Sequence, residues 1–152
     1  MIYFDTSYIV RLYLEDPGWQ KVRELSATDH IACCLLGRAE APAAFHRRFR
    51  EGILSNRDMR TLYGQFEREC DAGAFQWLPL SAVVIAGLQK VYARLPKSVH
   101  LRAGDAIHLA CAAENRFKEI YSNDRQLLAA ADNFGLCGRN VIESVPPFPS
   151  KR

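Results

Sequence analysis

The chain has 152 residues, 49% of them hydrophobic, with 20 basic against 17 acidic residues and a formal net charge of +3. That composition excludes an intrinsically disordered chain and fits one domain with a core of ordinary size. No apolar run approaches the ~20 residues of a membrane helix, and Asp5 and Arg11 interrupt any signal-peptide core, so a cytoplasmic protein with no membrane association is expected.

The predicted elements alternate along the chain. Residues 2–5 read as a short buried strand. Residues 7–15 read as a helix with Ile9, Val10, Leu12 and Tyr13 at helical spacing. Asp16-Pro17 reads as the start of a second helix, striped by Trp19, Val22 and Leu25. Residues 30–35 form a second buried strand, and a helix follows between 38 and 51. Ser55, with Asp58 three residues on, opens another helix whose Met59, Leu62, Tyr63, Phe66 and Cys70 share one side. Residues 74–78 are strand-like. Ser81 caps a helix carrying Ile85, Leu88, Val91, Tyr92 and Leu95, which Pro96 breaks. Residues 103–115 form a strongly apolar helix, 118–122 a strand, and 125–133 a helix stopped near Gly135. Residues 140–144 make a last short strand. The domain is expected to span 1–145, with 146–152 a frayed tail.

Strands alternating with helices imply a mostly parallel sheet covered on both faces, an α/β fold. In such sheets the functional crevice lies beyond the carboxyl ends of the strands. The five cysteines, Cys33, Cys34, Cys70, Cys111 and Cys137, form no CxxC and no zinc-finger spacing, and read as small core residues.

Four carboxylates recur at strand–helix junctions. Asp5 ends the first strand, Glu40 follows the second, Asp105 opens the apolar helix, and Asp124 follows the strand 118–122. Each taken alone could be a helix cap or a surface acid. A parallel sheet can bring all four to one rim. Two carboxylates ~4 Å apart repel by about 4 kcal/mol at an effective dielectric near 20. Such a cluster must protonate, pair with arginine or hold cations. An all-oxygen site favours Mg²⁺ or Mn²⁺, which can activate water against a phosphodiester. Without these four, 13 acidic residues face 20 basic ones, a balance of +7, and 15 of the basic residues are arginine. Arginine suits bidentate phosphate binding. The densest cluster is His46-Arg47-Arg48-Phe49-Arg50, a solvated helix face or a weak nucleic-acid contact. There is no P-loop and no G-x-G-x-x-G.

FDTSYIVRLYLED, the Glu40 segment, RAGDAIHLACAAE and IYSNDRQLLAAA, in this order, resemble PIN-domain proteins, and the chain's size suggests the VapC-type toxins of bacterial toxin–antitoxin pairs. The similarity covers about residues 1–145. It implies a three-layer α/β/α Rossmann-like fold and an Mg²⁺- or Mn²⁺-dependent endoribonuclease. Carried over by position, Asp5, Glu40, Asp105 and Asp124 form the catalytic acids, with Asp5 and Asp105 the direct metal ligands. Thr6 and Ser7 would support Asp5, and Ser122 matches a hydroxyl that often precedes the last acid by two residues. The resemblance also implies an RNA substrate, a VapB-type antitoxin partner and a homodimer, for which the Met59, Tyr63 and Phe66 side of its helix is a candidate contact.

Pro42 departs from the family pattern. It lacks an N–H and clashes with the carbonyl of Arg38, so the helix is expected either to start near Ala39 or to kink. His108, three residues after Asp105, reads as a packed histidine or a general base. Arg102 and Arg125 flank the acids and either grip RNA phosphates or neutralise the carboxylates. The competing functions are a non-catalytic PIN-like module binding RNA or protein, and a phosphatase or phosphotransfer domain using Asp5. Haloacid-dehalogenase-type chemistry wants a second Asp where Ser7 stands, and the acidic pair of a receiver domain is not visible.

Overall fold

Side chains alternate between two faces along the strands, and this divides the core in two. A computed structural model describes residues 1–142. Its strands are β1 (Ile2–Tyr3), β2 (Ile31–Cys34), β3 (Phe75–Leu78), β4 (Glu119–Tyr121) and β5 (Cys137–Arg139). Its helices are α1 (Thr6–Arg11), α2 (Trp19–Ser26), α3 (Gly37–Arg50), α4 (Asn56–Asp71), α5 (Ala82–Tyr92), α6 (Ala103–Glu114) and α7 (Arg125–Ala130), followed by a 3₁₀ turn at Ala131–Phe134. Phe4, Ile31, Cys33 and Phe75 point into a core covered by α1–α4, while Tyr3, Ala32, Cys34, Leu78 and Ile120 point into one covered by α5–α7. The result is the three-layer α/β/α fold expected from the sequence.

Every strand pairing is parallel. β2 pairs with β1 on one side and β3 on the other, and β4 pairs with β5. A parallel bridge between Phe4 and Tyr121 joins the two groups, and Asp5 N donates to Tyr121 O at 3.0 Å. The spatial order is therefore β3-β2-β1-β4-β5. From β1 the chain runs outward to β2 and β3, then crosses back to β4 on the other side. Such a reversal opens a crevice at the carboxyl ends of the two central strands.

Several boundaries differ from expectation. The first helix ends at Arg11, because Leu12 N and Tyr13 N turn to the carbonyls three residues back, and Tyr13 inserts edge-on against Phe45 and Phe66. Gly18, at φ 83°, caps α2 in place of Asp16, whose carboxylate instead pairs with Arg48 at 2.7 Å. The last strand is Cys137–Arg139 rather than 140–144. Gly138 sits where a Cβ would come 2.9 Å from Leu128 Cδ2 and 3.1 Å from its carbonyl oxygen, so close packing against α7 fixes the strand there. Positions 143 and 144 of the expected strand, and the tail, lie outside the described residues. Cys33, Cys34, Cys70 and Cys111 are buried, but Cys137 is exposed on β5. Ser55 and Ser81 cap α4 and α5 as the sequence implies. On the α4 stripe Phe66 belongs to the core, Met59 packs against it, and only Tyr63 is exposed. Among the described residues no helix is long and apolar enough to cross a membrane.

Candidate functional site

Asp5 leaves β1 in extended conformation and its side chain caps α1, accepting from Tyr8 N at 3.2 Å. Asp124 does the same after β4, accepting from Gln126 N and Leu127 N at 2.8 and 3.1 Å. Asp105 lies in the first turn of α6 and Glu40 in the first turn of α3. All four acids thus stand at helix N-termini, where the backbone dipole partly offsets their mutual repulsion. The capping role that each aspartate could have had alone is real for Asp5 and Asp124, but it engages a single oxygen of each carboxylate.

These four acids line one cavity of about 470 Å³ at the carboxyl ends of the strands. Thr6, Ser7, His108, Asn123 and Arg102 share its wall. Pro42 does not displace Glu40. The helix α3 starts before it, at Gly37, and runs unbroken through Pro42. The ring removes one helix hydrogen bond, the one an N–H there would have made to Arg38 O. A Cβ on Gly104 would come 3.2 Å from Glu40 Oε1, so the glycine leaves room for the carboxylate beside α6.

Asp5 is almost fully buried. Ser7 Oγ donates to its Oδ1 at 2.7 Å and Ser122 Oγ to its Oδ2 at 2.5 Å. Ser122 Oγ also accepts from Asp124 N at 2.9 Å, and Asn123 N donates to Ser7 Oγ at 3.1 Å. The turn after β4 is thereby tied to the turn after β1. Burial pushes the Asp5 carboxyl above its ordinary range, against the pull of nearby His108 and the Ser122, Ser7 and Tyr8 donors. Thr6 does not support Asp5 as expected. Its hydroxyl donates to Glu40 Oε2 and lies 3.1 Å from His108 Nε2, because it points across to α3 from the first turn of α1.

His108 is the packed histidine of the two readings. Its Nε2 lies 2.8 Å from Glu40 Oε2 and its Nδ1 3.0 Å from Tyr3 OH, so both ring nitrogens are engaged. Burial works against the imidazolium, but hydrogen bonds to Cys33 and Glu40 hold its pKa well above 6.5. Burial would raise Glu40, yet His108 and Thr6 bring it below its ordinary value. Sequence reasoning missed the Tyr3 contact, because strand alternation marks Tyr3 only as core.

Arg102 bridges the remaining two acids. Its Nε donates to Asp105 Oδ2 at 3.1 Å and a terminal nitrogen to Asp124 Oδ2 at 2.7 Å. Burial, and the charge of Asp124, still push Asp105 above its ordinary value despite Arg102. Of the two readings for Arg102, the structure realises neutralisation of the carboxylates. Arg125 does not line this cavity but a smaller one, with Ser98, Val99 and His100.

The donor chemistry at the cavity is carboxylate and hydroxyl oxygen, which suits a hard divalent cation. As they stand, no three His, Cys, Asp or Glu side chains among the described residues form a ready metal-binding group. Arg102 is paired with Asp105 and Asp124, and His108 with Glu40. Moving the exposed Arg102 side chain would release oxygens of two acids beside Asp5.

A sequence profile described as PIN domain matches residues 2–133. No curated protein matches the sequence significantly. Among solved structures, a chain of FitAcB from Neisseria gonorrhoeae superposes with a TM-score of 0.72 at 18% identity, covering 91% of this chain and 96% of that one. A chain of VapBC2 from Rickettsia felis, bound to a DNA fragment from its promoter, gives 0.63 at 16% identity, covering 92% and 98%. VapC20 from Mycobacterium tuberculosis, a sarcin–ricin loop cleaving toxin, gives 0.67 at 16% identity, covering 86% and 95%.

Proposed function

The chain belongs to the PIN-domain family, and we propose that it is an Mg²⁺- or Mn²⁺-dependent endoribonuclease, the toxin of a type II toxin–antitoxin pair. The observation that carries this reading is the convergence of Asp5, Glu40, Asp105 and Asp124 on one cavity from four separate strand–helix and loop–helix junctions. Asp5 and Asp105 are the direct ligands in this reading. Glu40 and Asp124 orient water, and Ser7 and Ser122 fix the Asp5 carboxylate. A bound divalent cation would supply Lewis acidity toward a phosphodiester and lower the pKa of water. The protein's own part is to hold the carboxylates ionised and aimed, and to keep Glu40 charged through His108 and Thr6.

The structural neighbours bring partners into the proposal. VapBC2 is solved bound to a DNA fragment from its promoter, and VapC20 is a sarcin–ricin loop cleaving toxin. We extend to this chain a VapB-type antitoxin that places an arginine in the acidic cavity. Arg102 already occupies such a place from within the chain. That ion-paired arrangement also favours the second reading, a PIN-like module that binds RNA or protein without cleaving.

Incubation of the purified protein with structured RNA, in Mn²⁺ or in EDTA, separates the two readings. Wild type should cleave in Mn²⁺ and be silent in EDTA, and Asp5→Asn and Asp105→Asn should be silent in both. Cleavage that survives both substitutions would overturn the acidic-site mechanism. RNA binding without cleavage in any condition would establish the binding module.

A further inference from the structure

One face of α3 lines the cavity from Glu40 to Arg48, and its chemistry changes along the way. Glu40, Ala43, Ala44, Arg47 and Arg48 recur at helical spacing, and all five border the cavity. Val10 and Arg11 of α1 form the facing wall. The groove is therefore acidic at the strand ends, floored by small side chains in its middle, and basic at its far end. Arg47 is about 10 Å along the helix axis from Glu40, seven residues on.

The three arginines at the basic end are not equivalent. Arg48 is matched by Asp16 at 2.7 Å and Glu51 at 3.2 Å. Arg11 donates to two backbone carbonyls, Ser7 O at 2.9 Å and Pro17 O at 3.1 Å, which fix its direction without cancelling its charge. Arg47 is exposed, and its side chain makes no hydrogen bond or ion pair among the described residues. Asp16 also borders this end of the cavity, and with Glu51 it more than offsets Arg48, so Arg47 and Arg11 are the two guanidinium groups facing the groove that no carboxylate among the described residues pairs with.

Resting on the nuclease reading, we infer that the groove between α1 and α3 is the track for the RNA strand flanking the cleaved bond, with Arg47 and Arg11 gripping its phosphates. The charge order fits a polyanion whose reacting phosphate lies at the acidic end and whose neighbouring phosphates lie at the basic end. Ala43 and Ala44 leave the space a sugar–phosphate chain needs between them. The role is positioning and affinity, since neither arginine reaches the acids.

The test is binding of fluorescein-labelled single-stranded RNA to the full chain in EDTA, across a potassium chloride series. Wild type, Arg47→Ala, Arg11→Ala and Arg50→Ala are compared. Arg50 is exposed on the same helix but does not border the cavity, so its removal changes net charge equally. Arg47→Ala and Arg11→Ala should each weaken binding severalfold and reduce the slope of log K against log salt by about 0.7, while Arg50→Ala should leave the slope unchanged. Equal behaviour of Arg47→Ala and Arg50→Ala, or no RNA binding by wild type, would overturn the inference. The nuclease reading fails separately. Asp5-dependent cleavage with an unchanged KM in Arg47→Ala would sink the track and leave the nuclease standing. Arg47-dependent binding with no cleavage in Mn²⁺ would do the reverse.

Discussion

Ser122 Oγ donates to Asp5 Oδ2 at 2.5 Å while accepting from Asp124 N at 2.9 Å, so one fully buried hydroxyl ties together two acids 119 positions apart. Removing it strands a buried carboxylate oxygen without its donor. Ser122→Ala should cost about 1–2 kcal/mol, a fall of a few degrees in Tm. The Ser122 hydrogen bond holds the Asp5 pKa down against burial. Its loss should therefore move the acidic limb of the pH–rate profile to higher pH. A limb that stays in place would separate Ser122 from the ionisation of Asp5.

Asp5 is both a cap and a buried charge, and two substitutions separate these roles. Asparagine caps a helix about as well as aspartate, whereas alanine does not. Because burial raises the Asp5 pKa, its ionisation lowers stability as pH rises through the ordinary carboxylate value of 3.8 and up through the raised one. At neutral pH in EDTA, Asp5→Asn should melt at or above wild type. Asp5→Ala should be less stable than Asp5→Asn by about 1 kcal/mol. A clear fall for Asp5→Asn would mean that the negative charge itself holds the fold together.

Much of this was legible because it is local. A strand, an aspartate and two hydroxyls in the stretch FDTS mark the β1–α1 junction directly, and SND repeats the pattern after β4. The pairing of Arg102 with both Asp105 and Asp124 was not legible, since only tertiary structure decides which of two flanking arginines reaches the acids. The last strand was misplaced because NVIES carries strand-like residues, while CGR is a strand only through the close approach of Gly138 to Leu128. Pro42 reads as disruptive in the sequence, but α3 begins at Gly37 and runs through it, and Glu40 stays on the cavity.

The Glu40–His108 contact should give stability a definite pH window. His108 is raised above 6.5, so its contribution is full below that value and is lost as pH rises through the raised one. Glu40 is lowered from 4.5, so its contribution is present above that value and is lost as pH falls through the lowered one. The Tm difference between wild type and Glu40→Gln should be widest from 4.5 to 6.5, persist through neutrality, and shrink in acid and in alkali. With Glu40 partly exposed, the corresponding difference in stability should be about 1 kcal/mol. A difference independent of pH would mean that His108 is neutral in the fold.

Arg102 competes for the oxygens that a cation would use. Its side chain is 70% exposed, so Arg102→Ala should change stability in EDTA by less than about 0.5 kcal/mol. The same variant should reach its Mn²⁺-dependent rise in Tm at a lower Mn²⁺ concentration than wild type. A higher concentration requirement would make Arg102 part of the metal site's support.

Joint binding of a divalent cation by Asp5 and Asp105 can be seen by anomalous diffraction from crystals soaked in Mn²⁺. An anomalous peak should lie within coordination distance of both carboxylates, with the Arg102 guanidinium displaced from Asp105. A peak elsewhere, or none, from a protein that still cleaves RNA in Mn²⁺ would contradict it.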